Sequence, residues 1–245
     1  MTATPSPAVS VDSYAPPGWV NLSAVDPTIL LDVRYHGPHN FLGRPVTGYL
    51  EPVCVLPVET AQALHQVQLA ALAEGYGLKV YDCYRPARAG NDFVAWRDTP
   101  DQATKAEFYP SLEKWQLFNL GFVGGAATSH SSGSAIDLTL VKLPAAPQRL
   151  YVPGEPLVAC TAPAGARFPD NSVDMGSGYD CFDGLSHTLD ARVTGEAREN
   201  RLRLRRLMAV GGFVNYEAEW WHYDLANPRY PGQYFDFPVA NAALR

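Results

Sequence analysis

The sequence predicts an α+β fold, and three kinds of stretch predict it. From Ala135 to Leu140, apolar Ile136, Leu138 and Leu140 alternate with Ala135, Asp137 and Thr139, the period-two pattern of a half-buried strand. Val58 to Glu74 and Glu196 to Val210 carry apolar residues at helical spacing and read as helices. A proline-interrupted segment from Leu143 to Asp174 follows neither pattern and reads as a long surface loop. With 245 residues, 47% of them hydrophobic, the chain can bury a sizeable core. No composition shift or internal repeat divides it. Residues 1–19, rich in Pro, Ser and Ala, read as a disordered tail, and residues 20–245 as a single domain.

Along the chain, Leu30 to Tyr35 reads as a short strand and His36 and His39 as ordinary loop residues, since a chelating pair needs a fixed scaffold. Pro57 suits the start of the first long helix; Ala61, Leu64, Val67 and Ala71 form its apolar stripe and Gly75 stops it. Gly77 to Pro86 reads as a strand ended by proline, with Arg85 where strand gives way to loop. Helical character returns at Ala89 to Arg97 and at Leu112 to Leu120. In the last long helix, Arg198, Arg201, Arg203, Arg205 and Arg206 read as a solvated face, with the leucines and Met208 turned inward and Gly211-Gly212 as the stop. Phe213 to Tyr223 reads as an aromatic-rich strand.

A formal net charge of −6 and a sequence pI near 5.5 speak against a nucleic-acid partner, because phosphate binding relies on a basic surface. No stretch approaches the roughly eighteen consecutive apolar residues of a membrane span. Met1 to Trp19 has neither the basic start nor the apolar run of a signal peptide. The four cysteines form no close C-x-x-C pair. Their even number permits two disulfides, Cys54 with Cys83 and Cys160 with Cys181, the second bracketing a Gly-, Pro- and Asp-rich excursion. If both form, the compartment is oxidising, such as a periplasm; otherwise it is cytoplasmic.

The chemistry concentrates in Thr128-Ser129-His130-Ser131-Ser132-Gly133-Ser134-Ala135-Ile136-Asp137. A histidine and a carboxylate converging across a glycine turn are two ligands of a Zn²⁺ site, which needs a third ligand and an open position to be catalytic. His222 supplies the third, and Glu219, three residues earlier, is a candidate general base. In a regular strand residues i and i+3 face opposite sides, so this pairing requires a bend; Glu217 is the rival base on spacing. Gly176-Ser177-Gly178 lacks the spacing of a nucleophile elbow, which argues against serine hydrolase chemistry.

Taken together, Ser129-His130-x-x-Gly133-x-Ala135-x-Asp137, Glu219-Trp220-Trp221-His222, Tyr84-Arg85-Pro86 and Tyr234-Phe235-Asp236-Phe237-Pro238 resemble the zinc D-alanyl-D-alanine dipeptidases of the vancomycin-resistance type. These are grouped with the zinc D,D-carboxypeptidases and the Hedgehog amino-terminal domain. The resemblance implies a mostly antiparallel central sheet with helices packed against it. It implies one Zn²⁺ per chain held by His130, Asp137 and His222, and it selects Glu219 over Glu217 as base. It further implies that Arg85 polarises the scissile carbonyl, that Asp180 receives the ammonium group of a small D-amino-acid dipeptide, and that Ser129 and Tyr35 contact substrate. Two departures bear on substrate range: Ser132 stands where a basic residue is expected, and the loop from Leu143 to Asp174 is long. A D,D-carboxypeptidase or peptidoglycan-stem endopeptidase is the alternative on the same scaffold. A non-catalytic zinc-containing module is a further one, against which the presence of both Glu219 and Arg85 argues.

Overall fold

The computed structural model describes residues 9–245. In chain order its regular elements are β1 (Val9–Ser10), β2 (Trp19–Asn21), α1 (Leu22–Val25), β3 (Leu30–Leu31), β4 (Val55–Pro57), α2 (Val58–Ala73) and β5 (Tyr76–Asp82). Then come α3 (Ala87–Arg97), α4 (Lys105–Phe108), α5 (Lys114–Asn119), β6 (Ala135–Lys142), α6 (Gly195–Val210), β7 (Phe213–Asn215), β8 (His222–Leu225) and β9 (Tyr234–Phe235). The architecture is α+β. A five-stranded sheet in the order β3-β5-β6-β8-β7 forms the centre. This sheet is mixed: β3 runs parallel to β5 at one edge, and the remaining neighbours are antiparallel. β1 pairs in parallel with β9, and β2 pairs antiparallel with β4.

The apolar residues of β6 go where their alternation sends them. Ile136, Leu138 and Leu140 join a buried cluster with Leu64, Val67 and Ala71 of α2 and Leu204, Leu207 and Met208 of α6. The other face is not solvated as a half-buried strand would be. Asp137 is 2% exposed and Thr139 is fully buried. The cover comes from the loop expected between Leu143 and Asp174 and its continuation: Val173 N–H donates to Leu140 O, and Tyr179 Oη donates to Asp137 Oδ2. That segment has no helix or strand, in keeping with its composition.

Several boundaries differ from the sequence reading. Residues 1–8 of the expected tail lie outside the described residues. Parts of the remainder are packed: Val9–Ser10 pairs with β9, and Trp19 is 3% exposed against Tyr84, Phe235 and Phe237. An apolar anchor among prolines thus moves the start of the ordered chain back. The strand expected from Leu30 to Tyr35 ends at Leu31, and Arg34–His36 form a 3-10 turn. Phe213 to Tyr223 is not one strand. β7 and β8 are joined by a turn through Tyr216 to Trp221, closed by the Asn215 amide, which donates to the carbonyls of Glu219 and His222. Nor is the α6 arginine face wholly solvated. Arg201 is buried and donates to the carbonyls of Met175, His187 and Leu185, bracing the loop opposite. Burial lowers its pKa to about 10, still high enough to keep the charge.

Asp170 closes the long loop onto the sheet. It accepts from Arg34 Nη2 at 2.7 Å and Tyr81 Oη at 2.8 Å, and pairs with Lys79. Burial pushes its carboxyl up, but the Arg34 and Lys79 charges outweigh that and hold it well below the usual carboxylate range. Its folded pKa therefore lies below its unfolded one, so its contribution is complete above roughly pH 5 and is lost as pH falls towards 2. Asp170→Asn is expected to be less stable than wild type by about 3 kcal/mol at pH 7. That difference should shrink as urea midpoints are measured at successively lower pH.

Candidate active site

The site is built where three strands come into register. Asp137 on β6 pairs directly with Asp82 on β5 and with His222 on β8, so these side chains form one row across the sheet. The β5 register slips between Val80 and Asp82, a bulge that ends the regular strand shortly before Arg85. His130 arrives from a 3-10 turn, His130–Ser132, capped by Gly133 at φ 74°. A Cβ at Gly133 would lie 2.5 Å from Trp19 and 2.6 Å from Pro57, so both backbone sign and space demand glycine there.

His130, Asp137 and His222 meet. His130 Nε2 is 3.2 Å from His222 Nδ1, and Asp137 Oδ1 is 3.3 Å and 3.1 Å from these two atoms. Behind two of these atoms the other polar atom of the side chain is hydrogen-bonded, and behind the third it faces a carboxylate. His130 Nδ1 lies 2.7 Å from Cys83 O, which can only accept, so Nδ1 carries the proton and Nε2 presents its lone pair inward. His222 Nε2 faces Asp224 Oδ1 at 3.4 Å. Asp137 Oδ2 takes Tyr179 Oη at 3.1 Å and Arg85 Nη2 at 3.4 Å. The donor set fits a tetrahedral metal: donors about 2.0–2.1 Å from a zinc ion are about 3.3–3.4 Å from one another. Burial pushes the Asp137 carboxyl up, but the two imidazoles hold it well below the usual range. Burial lowers His222, yet Asp137 chiefly drives it up to about 10.

Glu219 sits in the turn before β8, not in a strand, which resolves the i, i+3 difficulty. Its carbonyl accepts from His222 N–H at 3.3 Å, and the buried Trp220, bonded through its indole to Ser177, anchors the turn. Glu219 Oε2 comes within 3.8 Å of His222 Nδ1. Burial raises its carboxyl well above the ordinary value, against the pull of His222. Glu217 is on the outside of the same turn, 55% exposed and paired with Arg205.

Arg85 Nε donates to Asp82 Oδ2 at 2.9 Å, and its guanidinium lies over Tyr35 and Phe93 at 5.0 and 5.2 Å. Tyr49 Oη completes Asp82 at 2.6 Å. Asp180 is the single non-glycine residue with positive φ, 52°, among the described residues, and it accepts from Tyr35 Oη at 2.9 Å. Burial, with Asp137 nearby, pushes its carboxyl up to about 8. A cavity of about 280 Å³ takes in all eight residues singled out in the sequence: Tyr35, Arg85, Ser129, His130, Asp137, Asp180, Glu219 and His222. Phe41, Phe93, Phe122 and Phe182 supply its apolar lining. Ser132 is not among the lining residues; its hydroxyl bonds Ser129 O and Ser134. His39 is a loop residue, though a buried one, set between Tyr151 and Phe168. Sequence reasoning passed over Asp82, Tyr179 and Asp224, whose relevance depends on register and loop packing.

A trio of two imidazoles and a carboxylate, flanked in one small cavity by a buried glutamate and an arginine, defines a metallopeptidase. Residues 16–146 and 169–240 match the peptidase family described as D-ala-D-ala dipeptidase, and the chain belongs to that family. It is 36% identical to a D-alanyl-D-alanine dipeptidase of Enterococcus faecium over 91% of this chain and 98% of that protein. It is 39% identical to one from Streptomyces coelicolor over 85% of this chain and 92% of that protein. For one from Escherichia coli the figures are 27%, 84% and 83%.

Proposed function

We propose that the protein is a zinc-dependent dipeptidase that hydrolyses D-Ala-D-Ala to two D-alanines, with His130, Asp137 and His222 holding one zinc ion. The observation that carries this reading is the spacing of the three donor atoms, 3.1–3.3 Å, with His130 Nδ1 and Asp137 Oδ2 hydrogen-bonded behind them. Zinc bound there supplies Lewis acidity and brings the pKa of water towards about 7. Glu219 takes the proton of the attacking water and hands it to the leaving amine, a role suited to a carboxyl raised by burial. Arg85 donates to the carbonyl oxygen as negative charge develops, an interaction typically worth about 3–4 kcal/mol.

Asp180 supports a dipeptidase over a carboxypeptidase. It lines the same cavity as the trio, and its buried carboxyl is stabilised as an anion when the substrate's free ammonium lies against it. A blocked amino terminus would leave that group without its partner. Tyr35 holds Asp180, and Ser129 lies on the cavity wall for substrate contact. No helix among the described residues is long and apolar enough to cross a membrane. The disulfides Cys54–Cys83 and Cys160–Cys181 support an oxidising compartment.

The test is steady-state hydrolysis of D-Ala-D-Ala and of N-acetyl-D-Ala-D-Ala by zinc-analysed protein. The free dipeptide should be cleaved with a kcat/KM at least about a hundredfold higher, as expected when a buried charge loses its partner. Release of D-alanine from neither substrate by zinc-loaded protein would overturn the enzymatic reading. Faster cleavage of the acetylated form would reassign the enzyme as a carboxypeptidase.

A further inference from the structure

Residues 147–168 lie outside the family match, yet they carry one half of a disulfide whose other half adjoins the site. Cys160 is bonded to Cys181, with Cα atoms 5.4 Å apart, and Cys181 directly follows Asp180. We propose that the segment 147–168 is a clamp that, through Cys160–Cys181, positions Asp180 to receive the substrate's ammonium group. The proposal rests on the reading of Asp180 given above.

Cys160 is bonded on three sides. Its N–H donates to Glu107 O at 2.9 Å, its carbonyl accepts from Gly178 N–H at 2.9 Å, and its sulfur reaches Cys181. Phe182 N–H donates to Phe108 O at 2.8 Å, so the stretch from Gly178 to Phe182 is held against the end of α4 with Cys160 between them. The packing is close: a Cβ at Gly178 would be 3.3 Å from that of Cys160. Both cysteines are buried.

The stretch so held contains Asp180, whose φ of 52° is one an L-residue keeps only where its surroundings over-determine it. The carboxylate itself has Tyr35 as its hydrogen-bonding side chain, so the aim of Asp180 depends on the backbone at Cys181. The clamp also has a fixed base. Tyr151 and Phe168 enclose His39 at centroid distances of 4.4 and 4.1 Å, His39 bonds Glu107 at 2.9 Å, and Arg167 pairs with Asp174. The rival arrangement is that Tyr179, stacked on Tyr81 and bonded to Asp137, holds the stretch by itself.

The test uses the full zinc-loaded chain with Cys160→Ala/Cys181→Ala, and Cys160→Ala/Cys181→Val as a second variant that refills the space. Each is assayed on D-Ala-D-Ala and its N-acetyl form, alongside hydrogen exchange of the amides 177–183. For a positioning role, KM for the free dipeptide rises about tenfold while kcat stays within about threefold, because the ammonium contact is made alike in the bound substrate and in the transition state. Cleavage of the acetylated form stays unchanged and the amides 177–183 exchange faster. Unchanged KM and unchanged exchange in a folded variant overturn the clamp, as does an equal loss of kcat on both substrates. If wild type itself fails to prefer the free dipeptide, the reading of Asp180 fails and the clamp falls with it. That outcome is recognisable before any variant is made.

Discussion

Glu219→Gln should keep its zinc and lose kcat by two to four orders of magnitude, the range that positioned acid–base groups typically contribute. The substitution keeps size and shape, and it removes a carboxyl that burial already disfavours as an anion, so the fold has little reason to change. Zinc content should hold because Glu219 stands outside the trio, its carboxyl 3.8 Å from His222 Nδ1. KM should change little, since no bond of the resting substrate to Glu219 is required. Glu217→Gln is the control. Its carboxylate is 55% exposed and paired with Arg205, so activity should match wild type. Activity lost in Glu217→Gln and retained in Glu219→Gln would reverse the assignment of the base. Loss of zinc together with activity in Glu219→Gln would instead make Glu219 part of the metal's support.

The elements that meet in this site differ in how far the chain reveals them. The β6 alternation correctly sends Ile136, Leu138 and Leu140 into the core. It misleads about Asp137, because period two separates two faces without saying that both are covered. What covers the second face is loop, packed through Tyr179 and Asp170, and loop packing leaves no periodicity to read. The convergence of His130, Asp137 and His222 is legible through the motif resemblance. Its physical cause, the register of β6 with β8, is a long-range pairing set by turn geometry and burial. Glu219 is an instructive case. Spacing in a strand argued against it, and the objection disappears because two buried tryptophans and Asn215 make a turn where aromatic content suggested a strand. Arg201 was concealed for a similar reason: among five arginines in nine residues, the one facing three carbonyls is chosen by the opposite loop.

Removing zinc should abolish activity and also lower the melting temperature, and the second effect separates a resident metal from an adventitious one. The trio is assembled by elements far apart in sequence, β6, β8 and the turn at His130–Ser132. The unfolded chain therefore has no such site, and zinc should bind the folded state preferentially. At free zinc about a thousandfold above Kd this stabilises the fold by roughly 4 kcal/mol. For a chain of this length that corresponds to a shift of roughly 10 °C. Chelated protein should thus melt about 10 °C below the zinc-loaded form and recover both stability and turnover on titration with zinc. His130→Ala should show neither response, since it removes one of three donors and also the imidazole bonded to Cys83 O. The magnitude of the shift distinguishes the mechanisms. If chelation stopped turnover without moving the melting curve, the metal would be bound weakly to substrate or surface, and the trio would need another role. If the melting curve moved while turnover survived chelation, the zinc would be structural.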